Sequence, residues 1–413
     1  MSRVGGTHEI QTRSLTAIDQ RISVRFSYPV RFTQGLLRPD NPLLRDLLGV
    51  GGQARVLAVL DEGVVAARPT LGDELRAYCD APPRMLDLVA PPLVLPGGEA
   101  IKNRTGPVTD VRAAINVHGI DRHSYVLAIG GGALIDAAGY AASTAHRGVR
   151  FVRIPTTVLA QDDAALGVKN AINAFGKKNF VGSFAPPFAV ICDFELLLTL
   201  SDRDWRCGVS EAIKVALLRD PAFFAWIEDH ARDLADRSLD AMAWLVHRSA
   251  ELHLHHIAAG GDPFELGSSR PLDFGHWAAH KLEQLSGYGL RHGEAVAIGI
   301  ALDSTYSYLA GHLAQSDWRR ILELFGALSL PTWTPQLESA EDGARPAVLA
   351  GMDEFREHLG GRLTVMLLGG IGSPFEVHSL DDAVVLEAAR LLRGRAQEGG
   401  EITGCQPPTA LAR

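Results

Sequence analysis

Short apolar runs alternate with helical patterns along the first half of the chain. The runs lie at residues 54–61, 124–132, 149–155 and 188–193 and are rich in Val, Ile and Leu. Apolar runs of this kind, separated by helices, are typical of parallel strands that are covered by helices on both faces. The pattern therefore predicts an α/β domain of Rossmann-like architecture over residues 21–200.

The hydrophobic period becomes helical beyond residue 200. Apolar residues recur three and four positions apart in residues 210–218, 241–258 and 295–310, which is the spacing of one helix face. We therefore expect a mainly α-helical C-terminal domain over residues 201–396. A cleft between the two domains is the expected place for a ligand.

The two ends of the chain carry no pattern of a folded element. Residues 1–20 and 397–413 are polar and aperiodic, so we expect both ends to be flexible. The first residues contain no apolar core of a signal peptide, and no apolar stretch of about 18 residues occurs in the sequence. We therefore expect a cytoplasmic protein without a membrane partner.

Composition and charge argue against further classes of protein. With 413 residues the chain exceeds one ordinary hydrophobic core. Its net charge of -8, without a long run of Lys or Arg, disfavours nucleic acid as a partner. The cysteines are too dispersed for a disulfide framework or a thiolate zinc site, which agrees with a reducing cytoplasm. They are Cys79, Cys192, Cys207 and Cys405.

Three consecutive glycines follow a buried strand and precede a helix of small residues: Gly130, Gly131 and Gly132. Glycine lets the backbone approach an anion, and the N–H groups at a helix start suit a pyrophosphate. The pattern is not G-x-G-x-x-G, so a plain tight turn is the alternative. Asp61 ends an earlier strand, and Thr156 and Thr157 end a later one, so polar groups are expected at the same sheet edge, as in a dinucleotide crevice.

Two histidines and a glutamate form a candidate metal site. His276 and His292 flank a Gly-rich turn, and His280 shares a helix face with His276. Glu211 lies among apolar residues, where a carboxylate is costly to bury without a compensating positive charge. Imidazoles and a carboxylate suit Zn²⁺, and open coordination positions would make the site catalytic. The alternative is that all are ordinary helix residues.

A second histidine group lies at His253, His255 and His256. It occupies a polar helix without an evident carboxylate partner, and we interpret it as solvated helix surface.

Cations and amides surround these segments. Lys169, Lys178 and Asn179 fall in a Gly-containing stretch that we expect to be a phosphate-holding loop. Lys214 lies three residues after Glu211, on the same helix face. Taken singly, each of these residues is more often a surface charge without a role in binding.

These segments together resemble the sugar phosphate cyclase superfamily, whose best-known member is dehydroquinate synthase. The resemblance extends from about residue 24 to residue 392, and its cofactor segments are residues 96–102, the glycine turn with Asp136, and residues 155–157. It implies a dehydroquinate synthase-like fold, a bound NAD and a bound Zn²⁺ or Co²⁺. It also implies a homodimer in which Arg147 reaches the phosphate in the neighbouring active site.

The resemblance assigns roles to individual residues. The implied metal ligands are Glu211, His276 and His292. The implied catalytic residues are Asp163, Lys169, Lys214, Glu265 and His280. The implied substrate-binding residues are Arg147, Lys178, Asn179, Asp273 and Arg356. The implied cofactor-binding residues are Asp61, Glu99, Lys102, Gly130, Gly131, Gly132, Asp136, Thr156 and Thr157.

Departures from dehydroquinate synthase bear on the substrate. Where those enzymes hold a substrate carboxylate with Lys and Arg, this chain has His255 and Ser269, and Arg270 is off register. A carboxylate would be poorly paired there. Residues 273–276 and 353–361 resemble the sedoheptulose 7-phosphate cyclases, whereas His280 resembles dehydroquinate synthase.

The resemblance therefore implies that sedoheptulose 7-phosphate is converted to a C7 cyclitol like 2-epi-5-epi-valiolone. The implied steps are transient oxidation by NAD, phosphate elimination, re-reduction and intramolecular aldol closure. Three alternatives stay open: a 3-dehydroquinate synthase with an unusual carboxylate site, a metal-dependent polyol dehydrogenase, and an inactive relative that senses a sugar phosphate.

Overall fold

The computed structural model describes residues 19–260, 264, 271–340 and 345–398. The predicted site residue Glu265 lies outside the described residues, as do Ser269 and Arg270 and most of the two ends for which flexibility is predicted. Residues 397 and 398, at the start of the predicted tail, are the end of the last helix.

Parallel strands form the sheet of the first domain. The strands up to residue 193 are β1 Val30–Thr33, β2 Ala54–Asp61, β3 Leu86–Leu88, β4 Leu93–Leu95, β5 Tyr125–Gly130, β6 Arg150–Pro155, β7 Lys169–Ala174, β8 Lys177–Phe184 and β9 Ala189–Asp193. The sheet order is β1-β9-β6-β5-β2-β3, β4 also pairs with β2, and every pairing is parallel. In register, Gly130 lies opposite Pro155, so β5 and β6 end at the same sheet edge.

Helices cover both faces of this sheet. They are α1 Leu43–Leu48, α2 Glu62–Ala67, α3 Leu71–Asp80, α4 Thr105–Val117 and α5 Gly132–Thr144. In β5, Val126 and Ala128 enter one hydrophobic core and Leu127 and Ile129 enter the other. The alternation explains why β5 is buried at every position.

The rest of the described chain is mainly helical. Its helices are α6 Asp202–Cys207, α7 Val209–Arg219, α8 Pro221–Asp229, α9 Ala231–Ala235, α10 Leu239–Ala259, α11 His276–Leu285, α12 His292–Leu309, α13 Gln315–Ala327, α14 Ala350–His358 and α15 Asp382–Glu398. An antiparallel hairpin, β10 Val365–Leu368 with β11 Pro374–Val377, accompanies them. Helix α12 is buried at every position from Gly293 to Ser307 and forms the centre of this core. The predicted α/β domain followed by a helical domain is confirmed.

The predicted phosphate-holding loop is instead a β-hairpin of β7 and β8. Ala174 pairs with Lys177, and the two residues between them, Phe175 and Gly176, both have positive φ values, 53° and 73°. A two-residue turn of this kind matches the twist of paired strands. The hairpin packs on α5, where Ser143 and Ser183 share a 2.7 Å hydrogen bond.

Within the part of the chain that the structure describes, we find no helix with the length and apolar character that a bilayer crossing requires.

Candidate metal and cofactor site

The three predicted metal ligands come together from three helices. Glu211 lies in the first turn of α7, and His276 and His292 are the first residues of α11 and α12. Glu211 Oε1 lies 3.5 Å from His276 Nε2 and 3.4 Å from His292 Nε2. One potential ligand atom of each lies within 4.8 Å of the others.

Both imidazoles turn Nε2 toward this point because Nδ1 has its own partner. His276 Nδ1 lies 3.2 Å from the backbone oxygen of Phe274, and His292 Nδ1 lies 3.1 Å from Glu283 Oε2. An oxygen acceptor at Nδ1 places the proton there and leaves the Nε2 lone pair for an ion.

The carboxylate of Glu211 is buried without an ordinary hydrogen bond to either oxygen. Burial alone would raise its pKa, but Lys214, His276 and His292 hold the pKa well below its usual range. Burial lowers the pKa of His292, whereas Glu283 and Glu211 more than offset this and raise it to about 9. An ionised, buried carboxylate beside two imidazoles fits a divalent cation.

Close packing of two helices fixes the position of His276. Gly275 has φ +77°, and a Cβ there would lie 2.7 Å from the carbonyl carbon of Gly299 on α12. The Asp303 carboxylate accepts from Gly275 N at 3.0 Å and from Trp277 Nε1 at 2.9 Å. Burial raises the pKa of Asp303 to about 7, although both hydrogen bonds lower it.

A row of charges continues from Glu211 on one side. Lys214 pairs with Glu211 and lies 3.6 Å from Asp163 Oδ2. Asp163 Oδ1 lies 3.2 Å from His253 Nε2. The negative charge of Asp273 also raises the pKa of Lys214, so Asp273 faces the same lysine.

The interpretation of the second histidine group as solvated surface is wrong for His253. Its side chain is 13% exposed, and burial lowers its pKa although Asp163 opposes this. Helix α10 packs its Val246, Ala250 and His253 side inward, against the π-helical turn Ala160–Ala164. His255, on the other side of α10, is exposed as predicted.

The row continues from His292 on the other side. Glu283 lies beside His292, and Lys178 Nζ lies 2.9 Å from each Glu283 oxygen. The His280 ring stands 5.4 Å from that of His276 and 6.0 Å from that of His292. Burial and the charge of Lys178 hold the pKa of His280 well below its usual range, so it is a neutral base here.

The predicted cofactor residues gather around the start of α5. Lys102 is 3% exposed and pairs with Asp136 at 2.6 Å and with Glu99 at 3.8 Å. Asn179 Oδ1 also accepts from Lys102. The N-cap of α5 is Gly131, and no side chain caps that helix start, which leaves its N–H groups for an anion.

Asp61 and the threonines line the same edge. Asp61 accepts from the backbone of Gly63 and Gly131, and burial raises its pKa more than these hydrogen bonds lower it. Thr156 N donates to the oxygen of Gly130, and its hydroxyl is buried without a partner. Thr157 Oγ1 accepts from Ala160. Asp61 therefore braces the glycine turn.

Comparisons with known proteins show the family to which this chain belongs. The sequence matches the family 3-dehydroquinate synthase N-terminal over residues 92–207 and the family 3-dehydroquinate synthase C-terminal over residues 208–346. The 3-dehydroquinate synthase of Paracoccus denitrificans is 36% identical over 367 residues, which is 87% of this chain and 94% of that protein. That of Caulobacter vibrioides is 34% identical over 361 residues, with the same coverage. The chain belongs to the dehydroquinate synthase family of sugar phosphate cyclases.

Several solved structures share the fold of this chain. The 2-epi-5-epi-valiolone synthase ValA of Streptomyces hygroscopicus, with NAD⁺ and Zn²⁺ bound, has a TM-score of 0.81 and 30% identity, over 91% of this chain and 100% of that one. A 2-deoxy-scyllo-inosose synthase complexed with carbaglucose-6-phosphate, NAD⁺ and Co²⁺ has a TM-score of 0.71 over 88% of this chain and 96% of that one, at 21% identity, and shows the fold alone. A glycerol dehydrogenase of Schizosaccharomyces pombe shares the fold with a TM-score of 0.62 over 95% of this chain and 97% of that one, at 13% identity.

Three of the residues carried over from the family lie apart from the cluster or at its margin. Arg147 is exposed beyond the far end of α5, and that helix of 13 residues separates it from the glycine turn. Arg356 is exposed and pairs with Asp353 on its own helix. Lys169, at the start of β7, is exposed, but its charge lowers the pKa of His253.

Two residues of the cluster were missed by the sequence analysis. Glu283 follows His276 and His280 at positions i, i+4 and i+7, which is one helix face, so the spacing alone was a usable signal. Asp162 is fully buried with both oxygens unpartnered, and burial together with Asp163 and Glu211 raises its pKa well above the usual value. The π-helical turn that buries Asp162 has no sequence signal.

Proposed function

We propose that this chain is an NAD- and zinc-dependent sugar phosphate cyclase that converts sedoheptulose 7-phosphate to a C7 cyclitol with release of phosphate. The observation that carries the proposal is the convergence of Glu211, His276 and His292 next to the α5 start. Two adjacent hairpin residues link these two regions: Lys178 contacts Glu283 beside His292, and Asn179 contacts Lys102 beside α5.

The residues fit both cofactors. Glu211 with Nε2 of His276 and His292 would hold zinc, because both imidazoles direct Nε2 toward the buried, ionised carboxylate and an ion can take the place of the proton on His292. Gly130, Gly131 and the uncapped start of α5 would hold the pyrophosphate of NAD. The support from relatives is that ValA binds NAD⁺ and Zn²⁺.

When bound, the two groups would supply transient oxidation of a ring hydroxyl and polarisation of its oxygen, which acidifies the neighbouring C–H and lets phosphate leave. Lys214, held between Glu211 and Asp163, is a fixed cation for a developing oxyanion. Lys178 and Asn179 would bind the phosphate. Neutral His280 would accept and return a proton.

Sedoheptulose 7-phosphate is favoured over a substrate with a carboxylate by the residues at the carboxylate-binding positions. His255 is exposed and offers no buried cation, and Ser269 is uncharged. Asp273 faces Lys214, where it would repel a second carboxylate. The second candidate is 3-dehydroquinate synthase, which the relatives at 34% and 36% identity favour.

The proposal also covers the oligomeric state and the cellular location. Arg147 and the glycine turn lie at opposite ends of α5, so Arg147 is far from the candidate site of its own chain. We therefore infer a homodimer in which Arg147 reaches the phosphate in the partner's site. We also infer a cytoplasmic enzyme.

Separate incubations with sedoheptulose 7-phosphate and with the heptulosonate phosphate precursor of dehydroquinate test this function. We expect phosphate release from the first only, a cyclitol identified by mass and proton NMR, and no net accumulation of NADH. Release from the second substrate only would establish the dehydroquinate synthase alternative. Net NADH accumulation would indicate a dehydrogenase.

A further inference from the structure

Glu283 occupies the junction between the candidate metal site and the candidate phosphate site. Its carboxylate accepts from His292 Nδ1 at 3.1 Å through Oε2, and Lys178 Nζ lies 2.9 Å from Oε1 and from Oε2. The Glu283 side chain is 3% exposed and that of Lys178 is 12% exposed. One buried carboxylate therefore contacts His292 of the candidate metal site and Lys178 of the candidate phosphate site.

Contact with His292 determines what that imidazole can bind. A carboxylate acceptor keeps a proton on Nδ1 and fixes the ring plane. Nε2, on the side of Glu211, is then the ring atom that can coordinate a metal ion. His276 receives the equivalent support from a backbone oxygen. His292 is the ligand whose orientation depends on a side chain that substitution can remove.

Contact with Lys178 determines where that cation points. An ammonium group on a long, flexible stem is poorly placed unless a partner fixes it. Glu283 provides two oxygens, and the buried pair keeps Lys178 next to His280 and Asn179, with which we propose it binds phosphate.

A second cation site is the competing explanation for Glu283. The ligand atoms of His280, Glu283 and His292 also lie within 4.8 Å of one another. Lys178 already supplies a positive charge to both Glu283 oxygens, so an additional cation would meet that charge at close range.

We propose that Glu283 is a positioning residue that serves both sites: it orients His292 for the metal ion and Lys178 for the substrate phosphate. The inference rests on the proposed function, and it predicts that one substitution weakens two different binding events. The loss of metal affinity should act through His292, and the loss of substrate affinity should act through Lys178.

The test compares Glu283→Gln with Glu283→Asp and with a matched control, Glu354→Gln. Glu354 lies on α14, is 45% exposed and forms a 2.6 Å ion pair with Lys281, which is on α11 like Glu283. The substitution therefore removes an ion pair of α11 without changing a residue of the candidate metal or phosphate site. Zinc affinity is measured by chelator competition. KM and kcat are measured with sedoheptulose 7-phosphate, and stability is measured by thermal unfolding of the metal-free protein.

We expect Glu283→Gln to weaken zinc binding by about 10- to 100-fold, as for other residues that support a metal-bound histidine, and to raise KM. Glu283→Asp keeps the charge and should recover part of both. Lys178→Met should raise KM with little change in zinc affinity, and its KM effect should not add to that of Glu283→Gln, because the two residues act as one pair.

Unchanged zinc affinity in Glu283→Gln, with a wild type that binds zinc, overturns the inference and leaves the proposed function intact. A parallel loss of zinc affinity in Glu354→Gln, or a fall in the unfolding temperature that accounts for the whole effect, overturns it as well. A wild-type protein that binds no zinc instead removes the proposed function.

Discussion

His253 Nε2 lies 3.2 Å from Asp163 Oδ1, and the other oxygen of Asp163 faces Lys214 at 3.6 Å. Asp163 therefore lies between His253 and Lys214, the lysine that we propose as catalytic. Since burial keeps the pKa of His253 below its ordinary value, the imidazole beside Asp163 is neutral at neutral pH.

Replacement of His253 tests this relationship. We expect His253→Ala to lower kcat by about 10- to 100-fold, because Asp163 loses a partner and Lys214 loses its fixed position. His253→Gln can still donate to Asp163 and should retain more activity. The exposed neighbour His255→Gln serves as control, and equal losses in His253 and His255 variants would contradict the assignment.

Gly275 offers a test of how His276 is positioned. Gly275→Ala adds a Cβ 2.6 Å from the backbone nitrogen of Ile300 at φ +77°, so we expect a loss of about 2 kcal/mol or more in unfolding free energy. Gly287→Ala is the matched control, since φ there is +59° with no atom within 4 Å; its expected loss is about 1 kcal/mol. Urea unfolding measures both, and equal losses would contradict the packing argument.

The buried carboxyl of Asp303 predicts a pH dependence of stability. Because burial raises its pKa from 3.8 to about 7 in the folded protein, the folded state binds more protons than the unfolded state between these values. Stability contributed by this group is therefore present at low pH and is lost as the pH rises toward 7, by up to about 4 kcal/mol.

Asp303→Asn removes that titration. We expect the difference in unfolding free energy between the variant and the wild type to shift in favour of the variant from pH 5 to pH 8, because all other titrating groups are common to both. Parallel pH profiles would show that Asp303 does not titrate in this range.

The proposed role of Arg147 in the partner's site predicts complementation. Arg147→Ala and Glu211→Ala should each be inactive as homodimers, but their mixture forms hybrids in which one site has both residues. Random reassociation of equal amounts should recover about one quarter of wild-type activity. No recovery, in a mixture shown to exchange subunits, would place Arg147 in its own chain's site or outside any site.

Features set by local sequence were predictable. Strand β5 is buried at every position because helices cover both faces of the sheet, and the glycine turn follows it directly, so the fold and a candidate cofactor edge could be predicted. Glu211, His276 and His292 were predicted as metal ligands because a carboxylate among apolar residues is costly to bury without a positive charge, and the structure brings the three side chains together.

Features set by tertiary packing were not predictable in this way. His253 faces inward only because α10 packs against the π-helical turn that carries Asp163, and a π-helical turn has no sequence signature. The sequence predicts a loop where β7 and β8 form a hairpin, since the polar residues there obscure the strand pattern. Glu283 lies on the face of His276 and His280, and its role depends on Lys178, which lies more than 100 residues away in sequence.

The central claim is that Glu211, His276 and His292 hold a divalent ion that the reaction requires. Its most direct test is the metal content of the purified protein, together with phosphate release from sedoheptulose 7-phosphate before and after chelation. We expect about one equivalent of zinc or cobalt per chain, loss of activity with the ion, recovery on adding Zn²⁺, and neither metal nor activity in Glu211→Ala. A metal-free protein that is fully active in the presence of chelators, or an active Glu211→Ala variant, would contradict the claim.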